Sequence, residues 1–451
     1  MALNLTKGNP FKTLLLFSLP VIAGNLFQLF YTLADTIIVG HVLGADALAA
    51  VGATGTLVTF VLLFVQGATA GFGICLGHSF GRGRKKEMRE SVATSVVLSV
   101  VIALVMTLPI LLALGPILHL LNTPESIFQM AYDYMFVIVA GTFATTYYNL
   151  ASNLLRALGD SRTPLIYLVF SSLLNIVLDI VFMVPLNMGV AGAAWATVLS
   201  QLLSSVLCTI SGLRHFDVLH PTKEEFRLKK ENIRTHLGLG LPMGLQMSVM
   251  CIGLFVMQGA INALGPSAIA GFTAGTKTEQ LVILIDSALS VGLSNYVAQN
   301  YGAGLVHRIR QGIRASLAQV VIFNVVLGFL IYGLREAVVP VFISAPTDDI
   351  VRHASEYFVA TVPFYLFLGV LIDLRTALQS MNNTTFPMGA CVLELVGRIS
   401  ATLLLSASIG YTGICLASPA AWVLACLLVV TGYFVVIRRL ERTICKDCST
   451  L

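Results

Sequence analysis

The stretch Leu19 to Gly40, LPVIAGNLFQLFYTLADTIIVG, decides the fold class. It is a predominantly apolar run, long enough for the hydrocarbon core of a bilayer, and it carries a single side chain that is ordinarily charged at neutral pH, Asp35. The apolar character begins at Leu14 with only Lys7 and Lys12 before it, which is too long for a signal-peptide core. The run is therefore expected to stay in the protein as its first membrane helix. The rest of the 451-residue chain has the same character: 57% of residues are hydrophobic and 11% are charged, whereas about a quarter are charged in a soluble domain. So large an apolar surplus has to face lipid, which excludes a water-soluble enzyme. A net charge of +5, from 27 basic and 22 acidic residues, is too small for a nucleic-acid partner. The eight cysteines are scattered, which argues for small buried thiols and against a disulfide framework.

Similar runs recur along the chain. Cutting at charged or Gly/Pro/Asn punctuation predicts twelve transmembrane helices, beginning near Leu14, Leu48, Val92, Ala131, Pro164, Val190, Ile233, Ala268, Ile313, Val351, Pro387 and Gly413. Long continuous runs exclude the alternating pattern of membrane strands. Prolines at Pro20, Pro164, Pro242 and Pro387 are expected to open spans, where no N–H is needed. Of the 27 basic residues, 22 fall in the two tails or in the connections after even-numbered spans. The connections His41–Asp46, Asn122–Ser126 and Pro185–Gly189 have almost none. By the positive-inside rule both termini are expected in the cytoplasm of a multi-pass plasma-membrane protein.

The chain also repeats itself at an offset of about 221 residues. Leu43-Gly44 corresponds to Leu264-Gly265, GHSFGRG at 77–83 to AQNYGAG at 298–304, and RALGDSRTP at 156–164 to QSMNNTTFP at 379–387. Each half has an even number of spans, so the predicted architecture is all-α, with two six-helix bundles related by a parallel internal repeat. The division expected is an N-lobe over 1–213, a charged linker over 214–236, a C-lobe over 237–440 and a cytoplasmic tail over 441–451.

Ionisable groups at membrane depth cost about a few kcal/mol each on insertion scales, so they and the polar groups that share their helix faces are functional candidates. Gln28, Thr32 and Asp35 share one face of the first span, as Asn175 and Asp179 share one face of the fifth. Thr197 in the sixth span either joins a shell of oxygen ligands or bonds its own helix. Asn149 and Asn153, one turn apart in the fourth, serve either as interhelical glue or as pocket residues. The second half carries Lys277, Glu279, Asp286, Asp373, Arg375, Glu394 and Arg398, of which Glu394 and Arg398 have ion-pair spacing. Structural pairs are the favoured reading there. Cys445 and Cys448 form a CxxC without a second ligand pair. No HExxH, Walker loop or dinucleotide glycine pattern occurs, so no catalytic residues, cofactor or nucleotide-driven step is expected.

With these residues in place, the sequence resembles the multidrug and toxic compound extrusion family over nearly its whole length. The likeness rests on the two halves, the quoted first span, the ALGDSRTP turn and NIVLD at 175–179. It implies that Asp35, Asn175, Asp179 and Thr197 bind or relay a coupling cation, and that Gln28, Asn149 and Asn153 line a drug pocket. The NorM-like branch places a Glu in helix seven and an Asp in helix ten. This chain has no acid between Pro242 and Gly265, and Asp373 lies about five residues off that register. The likeness is thus closer to the N-lobe-coupled, DinF-like branch. The implied function is secondary active export of amphipathic, often cationic, small molecules by a monomer in membrane lipid, in exchange for H+ or, as the alternative, Na+. Two carboxyls brought together in a partly dry lobe cannot both ionise easily, which favours the proton. A flippase for a lipid-linked saccharide is the rival reading. It would need Arg or Lys in its cleft, and the first half reads as having buried acids without buried bases.

Overall fold

The computed structural model describes residues 3–343 and 346–449. The first half runs α1 (Pro10–Leu43), α2 (Ala45–Gly81), α3 (Lys85–Leu112), a short α4 (Leu114–Leu120), α5 (Glu125–Ala140), α6 (Thr142–Ala157), α7 (Arg162–Met183) and α8 (Gly189–His215). The second half repeats the order: α9 (Lys230–Asn262), α10 (Pro266–Gly302), α11 (Val306–Gly333), a short α12 (Arg335–Phe342), α13 (Asp348–Thr361), α14 (Tyr365–Ser380) and α15 (Thr385–Ser449). Lengths recur with order. Both α2 and α10 have 37 residues, both α3 and α11 have 28, and both α6 and α14 have 16.

Among the described residues, 11 helical segments are long and apolar enough to cross a membrane. The last, Thr385–Arg442, has 58 residues, or ~87 Å at about 1.5 Å per residue, far more than a bilayer core of about 30 Å. Its helix leaves helical geometry at Ile409 and Gly410, so it divides into two crossings and completes the twelve. Helices start several residues ahead of most apolar runs. Lys85 to Arg89, for instance, belong to the first turns of α3, because a helix end in water accepts charged residues. Two prolines depart from expectation: Pro20 and Pro242 lie inside α1 and α9 and do not open them.

Those prolines lie at or near the places where the chain changes unit. One compact unit holds residues 3–4 and Pro20–Ser248, the other Leu5–Leu19 and Val249 onward. The boundary expected in the 214–236 connection therefore falls inside α9. The cause is local: Lys229 forms an ion pair with Glu90 of α3 at 2.7 Å, and His236 shares a hydrogen bond with Ser91 at 3.0 Å. Small residues then seat α9 on α2. A Cβ on Gly71 would come within 2.7 Å of the Gly240 backbone, and one on Gly67 within 2.5 Å of the Met243 carbonyl.

The core of the first unit gathers Phe72, Leu76, Met88, Val92, Leu150 and Leu154 from α2, α3 and α6. A second cluster joins Val39, Ala47, Met183, Val190 and Ala193. Outward-facing apolar residues such as Leu112 (87% exposed) and Phe329 (78% exposed) form the surface that lipid would cover. The side chains of Cys445 and Cys448 lie outside the described residues.

Candidate functional site

The first unit encloses a cavity of about 340 Å³. α1 supplies Gln28, Tyr31, Thr32 and Asp35 to its wall, at spacings that put them on one helical face. α6 adds a second stripe, Thr145, Asn149, Ser152 and Arg156, in steps of three or four residues. α7 contributes Asn175, and α8 contributes Thr197 and Gln201. Gly141 separates α5 from α6 and lies so close to α8 that an added Cβ would collide with the Val198 side chain.

Hydrogen bonds between helices and within them order the wall. Thr145 donates to the Gln201 side-chain oxygen, and Asn149 Nδ2 donates to the Thr145 carbonyl at 2.9 Å. The Asn175 amide donates to Thr197 Oγ1 at 3.4 Å, and Thr32 Oγ1 donates to the Gln28 carbonyl at 2.9 Å.

Behind the wall sits Asp179, fully buried, with its carboxyl in hydrogen-bonding reach of the Asp35 carboxyl. Both Asp179 oxygens, Asp35 Oδ1 and Asn175 Oδ1 have no donor among the described residues. Oxygens of this kind only accept, and leaving them bare in a buried place is costly. A proton shared between the carboxyls would satisfy them. So would a cation held by Asp35, Asp179, Asn175 and Thr197, since all four offer oxygen.

The residues named from sequence therefore divide. Asp35, Asn175, Asp179 and Thr197 come together, and Gln28 and Asn149 face the same cavity. Asn153 does not line it: its amide donates to Thr69 Oγ1 of α2 at 3.2 Å, joining two helices. Sequence reasoning passed over Tyr31, Gln201 and Arg156. The reading that the first half has no buried base is overturned by Arg156, which lines the cavity with its Nε buried. Its sequence position beside the ALGDSRTP turn had made it look like a loop charge.

In the second unit Glu394 receives Arg375 at 2.6 Å and Arg398 at 2.9 Å, a buried three-residue network. Glu279 accepts from Tyr357 at 2.8 Å, and Asp286 accepts from Asn324 at 2.8 Å. Both oxygens of Asp373 lack a donor among the described residues. Lys277 is exposed.

Comparison with known proteins adds the lineage. The MatE family signature matches residues 20–181 and again 242–404, one stretch in each half. A "Probable multidrug resistance protein YpnP" of Bacillus subtilis (strain 168) is 31% identical over 92% of both chains. A "Probable multidrug resistance protein NorM" of Thermotoga maritima is 27% identical over 84% of this chain and 81% of its own. An "FAD transporter" of Shewanella oneidensis is 26% identical over 90% and 91%. Among solved structures, a crystal structure of MATE in the bent conformation superposes with a TM-score of 0.90 at 22% identity, covering 97% of this chain and 98% of that one. The likeness in fold extends to an outward-facing multidrug resistance MATE family transporter, at a TM-score of 0.89, 22% identity and 97% of each chain. With a family stretch in each half of its repeat and a relative at 31% identity across its length, the chain belongs to the MatE family of membrane transporters.

Proposed function

We propose that this transporter is a secondary active multidrug exporter that takes amphipathic, often cationic, compounds into the cavity of its first unit and expels them in exchange for a cation bound at Asp35 and Asp179. The observation that carries this reading is the set of bare acceptor oxygens on Asp35, Asp179 and Asn175, set against a cavity that Gln28 and Asn149 also line. Loading that set with a proton changes which hydrogen bonds α1 and α7 can make. A compound held by the unloaded arrangement is then bound less tightly, which is the differential affinity that antiport requires. The multidrug names of the relatives support the substrate class. The proton is the first choice of coupling ion, because two adjoining buried carboxyls resist joint ionisation; Na+ is the alternative that the oxygen ligands support. Coupling in the first unit fits the DinF-like branch better than the NorM-like one. The protein acts as a monomer in the plasma membrane with both termini cytoplasmic. The rival flippase reading gains one base, Arg156, which falls short of a clamp for a pyrophosphate.

The test is efflux of a lipophilic cation dye from proteoliposomes, at fixed pH with and without an inward Na+ gradient, then with a pH gradient in Na+-free buffer. Efflux under the pH gradient alone is expected. Efflux that appears only with Na+ would replace the proton while keeping the site, and efflux under neither gradient would remove the antiport reading.

A further inference from the structure

Arg156 is a cation placed where the proposed export cycle has no use for one. It lies in the next-to-last position of α6 and lines the cavity beside Ser152 and Tyr148, and its side chain makes no hydrogen bond or ion pair among the described residues. A guanidinium has five N–H donors and no acceptor, so an anion entering the cavity would find donors on this half-buried one that no protein group occupies.

Neither of two structural roles accounts for it. The first is that Arg156 serves as counter-ion to Asp35 and Asp179. Thr145, which bonds Gln201 on the wall near Tyr31 and Asp35, is eleven residues from Arg156 along α6, or ~16 Å of helix rise. A guanidinium on an ordinary side chain does not cross that gap. The second is that the α6–α7 turn needs an arginine. The repeat answers this directly, because the second half builds the matching turn from α14 to α15 with Gln379 where the first half has Arg156. The backbone matches as well: Gly159 and Asn382 occupy corresponding positions with φ of 91° and 59°. The turn forms without the charge.

We infer that Arg156 is an anion-recognition subsite at the α6–α7 end of the cavity, taking the carboxylate or phosphate of an amphipathic substrate whose ring system lies against Tyr148. This rests on the reading of the cavity as the substrate pocket. It extends the substrate class from cations to zwitterionic and anionic amphiphiles, with Arg156 setting the preference between them.

The experiment uses the purified full chain in neutral maltoside micelles and two probes, a rhodamine with a free carboxylate and its methyl ester, which keeps the rings and removes the anion. The readout is the ratio of their affinities, by fluorescence polarisation, in wild type, Arg156→Gln and Arg156→Lys. Arg156→Gln is expected to lower the preference for the free carboxylate by ~tenfold or more, the usual weight of a charge-assisted hydrogen bond. Arg156→Lys should fall between, since it keeps a point charge and loses the planar fork. An unchanged ratio, whatever happens to the separate affinities, overturns the subsite and leaves the export reading standing. Wild-type protein that binds only the ester also overturns it. Wild type that binds neither dye overturns both readings, and binding of the carboxylate form alone supports the subsite while removing export of cations. Titrating phosphatidylglycerol into the micelles distinguishes the source of the anion. Arginine-dependent competition supports the subsite and assigns it to a lipid phosphate; an absence of competition supports it and assigns it to a soluble substrate.

Discussion

A carboxylate accepts hydrogen bonds and has none to give until it is protonated, so the partners of each acid and its place relative to the first unit's cavity together set its role; Asp373 also lacks donors among the described residues but does not line this cavity. Glu394 has a guanidinium on each of its oxygens, from Arg375 and Arg398, so its charge is balanced and it ties α14 to α15. Asp35 and Asp179 face each other with bare oxygens beside a cavity, so a proton or cation is what they lack. Much of this was legible in the sequence. An acid in an apolar run stands out, and the helical period fixes that Gln28, Thr32 and Asp35 share a face, as do Asn175 and Asp179. The period alone could not say which neighbour a face meets. Asn149 and Asn153 are one turn apart, yet the first turns to the cavity and the second to Thr69 of α2. Arg156 was illegible for another reason: a basic residue next to a Gly-Asp turn counts as a topology charge until the helix is seen to continue past it to Ala157.

At the scale of elements, close backbone approach between helices does the work that the hydrophobic effect does in water, because lipid tails are as apolar as leucine. Gly67 and Gly71 on α2 meet Gly240 and Gly244 on α9 in such a seam. Gly71→Leu should force the helices apart and lower stability by about 1–3 kcal/mol or more, the range for overpacking. A thermal melt of the purified protein in detergent measures this, with Gly52→Leu as control because nothing lies within 4 Å of its added Cβ. Equal melting temperatures for the two variants would refute the seam. The sequence carried the small residues without the pairing. The same gap explains the proline error: Pro20 and Pro242 look like helix starts, and only packing shows α1 and α9 running through them.

At the scale of the whole molecule the repeat is the strongest feature, visible in residue matches, in helix lengths and in the paired left-handed turns at Gly44 and Gly265 or Gly83 and Gly304. The proposed membrane orientation, with both termini cytoplasmic, rests on the distribution of basic residues, and it is checked by labelling intact cells with an impermeant thiol reagent, in a background without reactive native thiols. Lys86→Cys is expected to be shielded and Ser126→Cys labelled; the reverse pattern would invert the topology. We propose that transport is coupled through the first unit's carboxyl pair. The most direct test of this coupling is gradient-driven dye efflux from proteoliposomes holding equal amounts of wild type, Asp35→Asn and Asp373→Asn. Asp35→Asn is expected to fall to the protein-free background while Asp373→Asn keeps most of the wild-type rate, and equal loss from both would move the coupling out of the first unit's carboxyl pair.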